Sequence, residues 1–303
     1  ERSGPNRVGP AGLFQSFADV FKLMFKENIV PAQGNPFIHS LAPVLMVVIA
    51  MSTGALIPWA KTPAGDALAV ADIGVGLLVV LAMTSVTVYG VTLAGWSSNS
   101  KYSLLGGLRS SAQMISYELA MGAAAISVVL YSGSLSLFDI VESQDHLGSF
   151  LGWNLFRNPV GFVVFSVCAL AETNRAPFDL PEAEQELVGG YHTEYSGMKF
   201  GMFFLGEYLA MIVMSSLMVT LFLGGWDPLF FELPEGAGGT VLSVLCFVLK
   251  LLAVLFFYIW VRWTLPRFRY DQLMKLGWKT LIPLALLNIV VTAVAVALLT
   301  GTG

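Results

Sequence analysis

Three charged side chains lie inside stretches that are otherwise apolar: Glu118, Glu207 and Lys250. A central, ionised and unpaired charge in a bilayer costs about 2.5–3.5 kcal/mol, so the three together would carry roughly 7–10 kcal/mol. Such a cost is relieved in three ways: a carboxylate holds its proton, opposite charges pair, or the groups line a hydrated path. The first and third suit proton handling. A Glu–Lys pair that only fixes helix packing is the plain alternative. The proton-handling reading is the stronger one for Glu118 and Glu207; for Lys250 the two readings stand level.

The densest chemistry lies in residues 172–199, an acidic loop reading ETNRAPFDLPEAEQELVGGYHTEYSGMK. Glu172, Asp179, Glu182, Glu184, Glu186 and Glu194 face only Arg175 and Lys199 there. Asp179 followed by Pro181 and Glu182 is an N-cap signature, which predicts a short helix starting there and ending at Gly189 and Gly190. Glu182 and Glu186 then share one face and repel, so at least one would hold its proton if the loop folds back on the membrane. On composition alone a solvated acidic loop is the better account. The spacing lacks the Asp/Asn/Gly pattern of a calcium loop. Cys168 and Cys246 form no Cys-x-x-Cys motif, and His39, His146 and His192 are isolated, so no iron–sulfur, zinc or other metal site is expected.

These residues are carried by a chain of 303 residues that is 56% hydrophobic and only 12% charged, with mean hydropathy +0.73. A soluble domain has about a quarter of its residues charged, so lipid must surround this one. With 16 basic against 20 acidic residues there is no basic stripe for nucleic acid. Seven apolar runs, 39–59, 73–95, 112–131, 155–172, 200–223, 240–262 and 280–299, approach the ~20 residues that cross a bilayer. Small residues such as Gly122 to Ala125 and Ala293, Ala295 and Ala297 allow close helix packing. The predicted fold is therefore all-α, a polytopic transmembrane helix bundle forming one membrane domain over 1–303. Thirteen of the 16 Lys and Arg fall on alternate connections, which sets those on the cytoplasmic side. Residues 13–27 are expected to form an interfacial amphipathic helix, with Phe14, Phe17, Phe21 and Met24 on one face and Gln15, Asp19, Lys22 and Lys26 on the other. Packing on a soluble neighbour is its alternative role. The sequence opens at Glu1 without Met, and is expected to continue upstream.

Several segments are long enough to identify. GPNRVGP (4–10), FADVFK (17–22), GWSSNSKYSLLGGLRSSAQMISYE (95–118), AETNRAPFDLPEAEQELVGGYHTEYSGMKF (171–200) and LPRFRYDQLMKLGWK (265–279) resemble the H-subunit family of NADH:quinone oxidoreductase, respiratory complex I, whose mitochondrial counterpart is chain 1. The likeness runs from residue 2 to about residue 285. Family members carry a further membrane helix before the GPN motif, so eight helices are implied for the family against seven here.

The resemblance implies a subunit at the junction of the electron-transferring peripheral arm and the proton-pumping membrane arm, forming much of the quinone chamber. It implies that quinone is the substrate, that this chain binds no cofactor, and that FMN and iron–sulfur clusters belong to partner subunits. Proton-coupling positions matching the family are Glu118, Glu172, Glu182, Glu184, Glu186, Glu194 and Glu207. Quinone-chamber positions match Arg2, Asp19, Arg175, Asp179 and Phe204. Arg262, Arg267 and Arg269 match a basic loop near the peripheral arm, where a purely topogenic role is an equal account. Partners would be peripheral-arm and small membrane subunits, in a bacterial or mitochondrial inner membrane. Two alternatives are a membrane subunit of an energy-converting hydrogenase and a stand-alone ion transporter. The long acidic loop argues against the first, and the absence of inverted repeats against the second.

Overall fold

The computed structural model describes residues 4–145, 152–179, 189–228 and 236–300. Helix α1 (Gln15–Phe25) follows a short 3₁₀ turn at Pro10–Gly12 and buries none of its residues. Its apolar face is open, with Phe17, Phe21 and Met24 exposed, while Leu23 reaches the later helix at Gly201. Helix α2 (Pro36–Gly54) begins where the Asn35 side chain accepts from the amides of Phe37 and Ile38 and Pro36 takes a position that needs no amide donor. A two-residue hairpin, β1 (Ala60–Lys61) with β2 (Ala67–Leu68), is the one pair of strands among the described residues.

Helix α3 (Gly76–Ser97) and the long α4 (Lys101–Ser132) pack closely. The reason is glycine: a Cβ on Gly95 would lie 2.6 Å from the Ser103 carbonyl oxygen and 3.3 Å from the Gly107 Cα. Small residues take the place of a hydrophobic drive that lipid cannot supply. Helix α4 ends at Gly133, whose φ of 70° few other residues adopt, and it also packs against two helices that follow.

Helices α5 (Leu137–Asp145) and α6 (Asn154–Arg157) precede α7 (Pro159–Glu172). The apolar run 155–172 is thus not one helix: Asn158 is non-helical at φ −137°, its side chain caps the Gly161 amide, and Pro159 starts a new helix. Fourteen residues rise only about 21 Å, short of a ~30 Å hydrocarbon core. Helices α8 (Gly197–Phe222) and α9 (Ala237–Thr264) are full length. Helix α10 (Tyr270–Lys275) passes through a π-helical turn, Leu276–Leu281, into α11 (Ile282–Thr300). In that turn Gly277 sits 3.1 Å, measured from an added Cβ, from the Ser116 hydroxyl of α4, and Tyr117 donates to the Leu273 carbonyl at 3.0 Å.

Among the described residues six helices are long and apolar enough to span a membrane, and α7 is a shorter apolar helix beside them. Their exterior is apolar, as at Leu249, Phe256, Trp260 and Trp263 on α9 and Leu287, Val290 and Val294 on α11, all exposed. A surface of this kind faces lipid or a partner rather than water. The chain is an integral membrane helix bundle. Its core runs along α4, where Ala120, Ala124, Ala125 and Val128 pack against Phe165, Cys168 and Leu217.

Candidate functional site

At the C-terminal end of α7 the chain turns through Thr173 and Asn174, the latter at φ 49°. This turn is held from α4: the buried Gln113 amide donates to the carbonyls of Ala171 (3.1 Å) and Phe178 (2.9 Å), leaving neither unpaired. Phe178 is wedged between Tyr117 and Phe268, with ring centroids at 5.7 and 5.6 Å. The Phe268 amide donates to the Pro177 carbonyl at 3.1 Å, and Arg267 reaches Asp179 at 2.9 Å. Two segments far apart in sequence, the start of the acidic loop and the stretch before α10, are thereby fastened together.

The turn points Arg175 at α8. Its guanidinium lies 2.9 Å from Glu207 Oε2, with both side chains nearly inaccessible. The pair is a close charge contact rather than an aligned hydrogen bond, since neither of the two facing atoms satisfies hydrogen-bond geometry. The face of Arg175 lies 4.6 Å from the Tyr208 ring centre and 6.0 Å from that of Phe204. Glu207 Oε1 accepts from the Tyr191 hydroxyl at 3.0 Å. Tyr191 is fully buried, its ring packed by His192 and Phe203. A neighbouring stack joins His39 to Tyr195, with centroids 3.9 Å apart, and Tyr195 shares a hydrogen bond with Ser97 at 3.2 Å. Burial pushes the Tyr195 phenol up to about 12, so it stays a neutral hydroxyl.

Glu172 lies one helical turn before Arg175 and is 6% exposed; its Oε2 atom makes no hydrogen bond among the described residues. It and Glu207 both line a cavity of about 30 Å³ between α2, α3, α4, α7 and α8. Thr53, Thr84, Thr87 and Asn174 line it too. The hydroxyl protons of Thr53, Thr84 and Thr87 go to helix carbonyls, so their oxygens present lone pairs to a guest. Met46, Ile49, Met114 and Val213 make most of the remaining wall apolar, and the space is large enough for one water, for which ~10–15 Å³ suffices. Glu118, half-buried on α4, accepts a hydrogen bond from Ser85 of α3 and is an electrostatic neighbour of Glu172. The order of carboxylates is therefore Glu207, water-sized cavity, Glu172, Glu118.

The family model described as NADH dehydrogenase matches residues 1–293. This chain belongs to that family. The NADH-quinone oxidoreductase H subunit of Salinibacter ruber is 60% identical over 100% of this chain and 88% of its own length. Subunit 8 of the same enzyme from Rhodothermus marinus is 61% identical over 98% and 88%, and the H subunit of Rhodospirillum centenum is 51% identical over 96% and 83%. The resemblance read from the motifs is thus the family that the whole chain matches.

Of the residues that the motif resemblance singles out, the structure gathers Glu118, Glu172, Arg175, Phe204 and Glu207, and binds Asp179 to Arg267 beside them. Glu194 is half-buried on the segment after Tyr191. Asp19 stands apart on the polar face of α1, with Gln15 at 3.3 Å and Lys22 at 3.9 Å. Arg262 is exposed at the end of α9, and Arg269 pairs with Asp271 at 3.2 Å in the open. Arg2, Glu182, Glu184 and Glu186, and the helix expected after Asp179, lie outside the described residues. Lys250 pairs with no glutamate among the described residues. Its ammonium donates to the carbonyls of Leu223, Gly225 and Asp227 at the end of α8, at 2.7, 3.0 and 2.5 Å, and sits 4.2 Å from the Trp153 ring centre. Gln113 and Tyr191 are not marked by the sequence. Both are uncharged and stand among acids that draw more notice, although Tyr191 follows a Gly-Gly pair that ends the loop.

Proposed function

We propose that this chain is the membrane subunit of a proton-translocating NADH:quinone oxidoreductase, bordering the quinone chamber and coupling quinone reduction to proton movement through buried carboxylates. The observation carrying the reading is the chain Glu207, water-sized cavity, Glu172, Glu118, with Arg175 setting the charge at one end. Its relatives bear the name of quinone oxidoreductase subunits, which favours quinone over proton reduction as the terminal step.

Reducing a quinone to a quinol takes two electrons and two protons. Electrons would come from partner subunits holding FMN and iron–sulfur clusters; among the described residues of this chain no group of His, Cys, Asp or Glu could hold a metal. Protons drawn from the acidic loop, at Glu182, Glu184, Glu186 or Glu194, would leave negative charge near Arg175 and Asp179. That charge competes for Arg175, loosens its hold on Glu207, and raises the proton affinity of Glu207. A proton then reaches Glu207 and passes through the cavity water to Glu172 and Glu118. Moving one charge against 100 mV costs about 2.3 kcal/mol, and a pK change of a couple of units on one carboxylate is of that size. Helix α1, with its open apolar face and Asp19, would border the lipid-side entrance together with Arg2. Arg262, Arg267 and Arg269 would face the peripheral-arm subunits on the cytoplasmic or matrix side.

The test is the assembled complex in proteoliposomes. Glu172→Gln is expected to lower both quinone reduction and proton uptake per electron while native gels show normal assembly. Unchanged pumping would remove Glu172 from the path.

A further inference from the structure

The shortness of α7 leaves room beside it. Helices α7 and α9 both pack on α8, and between them runs a groove in two joined parts. The apolar part, about 410 Å³, is lined by Val163, Val167 and Leu170 of α7, Met218 of α8, and Val254 and Phe257 of α9. The polar part, about 240 Å³, is lined by Arg175, Tyr208, Tyr258 and Arg262, and Leu170 borders both. From Leu170 down to Phe162 the groove follows eight residues of helix, about 12 Å.

The two parts differ in what they can hold. Ser166 in the apolar part donates its proton to the Phe162 carbonyl at 2.7 Å, so the residues lining that part offer no free polar hydrogen to a guest. The polar part has two guanidinium groups and, among the described residues, no carboxylate in its lining. Arg175 is already matched by Glu207, but Arg262 makes no ion pair among the described residues. Tyr258 is 3% exposed, and its hydroxyl lies by the Ser215 hydroxyl, which donates its own proton to the Met211 carbonyl at 2.7 Å and keeps a lone pair for Tyr258. A guest that is anionic at one end and a thin hydrocarbon chain at the other matches both parts of the groove.

We propose that this groove binds one acyl chain of an anionic phospholipid, with the phosphate held at Arg262. The lipid fills the gap that a 14-residue helix leaves in the bilayer core and braces α7, whose last turn and the turn after it carry Glu172 and Arg175. A transmembrane helix of a partner, about 10–12 Å across, is the competing occupant.

The experiment uses the whole complex reconstituted in phosphatidylcholine vesicles. These contain a trace of one photoreactive probe: phosphatidylglycerol or phosphatidylcholine with a diazirine in the acyl chain, or a quinone with a diazirine in its tail. Labelled peptides are mapped by mass spectrometry. Phosphatidylglycerol should label 162–170 or 253–257 about fivefold more than phosphatidylcholine, the effect of one basic residue at an anionic group, ~1 kcal/mol. Arg262→Gln should bring the two lipids level. Val167→Trp, or Val163→Phe should the first not assemble, should abolish labelling in the groove while the lipid-facing residues of α11 remain labelled. Equal labelling by both lipids in the parent, preferential labelling by the quinone, or a groove that no probe reaches would each overturn the proposal.

Discussion

Arg175 and Glu207, thirty-two positions apart, meet at 2.9 Å with almost no solvent access, joining the end of α7 to α8. Removing one member of such a pair leaves a buried charge uncompensated, which costs about 3–5 kcal/mol, whereas removing both is far milder. Arg175→Gln and Glu207→Gln should each shorten the thermal-inactivation half-life of the complex, and the double variant should outlast both singles. If the double variant instead combines the two losses, the residues are not coupled.

Glu207→Gln keeps the size of the side chain and its acceptor for Tyr191, so assembly should survive while quinone-linked turnover and proton translocation fall. The same is expected of Glu118→Gln, because the amide can accept from Ser85 but cannot exchange a proton. Proton-to-electron ratios in vesicles check both variants. Full pumping in both would return these carboxylates to a packing role.

The bundle was legible in the sequence because apolar runs of bilayer length rarely occur outside membranes, and Glu118 and Glu207 stood out against that background. What could not be read was which charge meets which. Arg175 and Arg267 lie in connections whose basic residues serve topology, yet one closes on Glu207 and the other on Asp179. Lys250 looked like a partner for a glutamate and is instead occupied by backbone carbonyls, groups that leave no mark in a sequence. The break at Asn158 is marked by Arg157, Asn158 and Pro159, but Leu155, Phe156 and Val160 onward carry the apolar run across it.

Glycine supplies a third test. A Cβ on Gly106 of α4 would lie 2.9 Å from the Cα and carbonyl carbon of Gly190 and from the Tyr191 nitrogen, all backbone atoms. No side chain can swing away, so Gly106→Ala must displace the segment that holds Tyr191 against Glu207. Quinone reduction should fall more in Gly106→Ala than in Tyr191→Phe. The latter loses only a hydrogen bond to a charged group, worth about 1.5–3 kcal/mol. Equal activity in Gly106→Ala and the parent would mean that α4 can shift without moving the site.

Lys250 offers the sharpest separation of structure from coupling. Its ammonium satisfies three carbonyls at the end of α8, where the helix dipole also favours a cation. It sits over Trp153, which itself packs against Gly224 in the same turn. Lys250→Met keeps the length of the chain but orphans those carbonyls, so the complex should lose about 1.5–3 kcal/mol of stability. Arginine should rescue this poorly, because a planar fork does not converge on three carbonyls as an ammonium does. Turnover per assembled complex and protons moved per electron should match the parent, since nothing about the cap requires the proton to leave. Thermal inactivation and proton uptake measured on the same preparation decide the matter. A normal half-life with a reduced proton ratio would move Lys250 out of the scaffold and into the proton path.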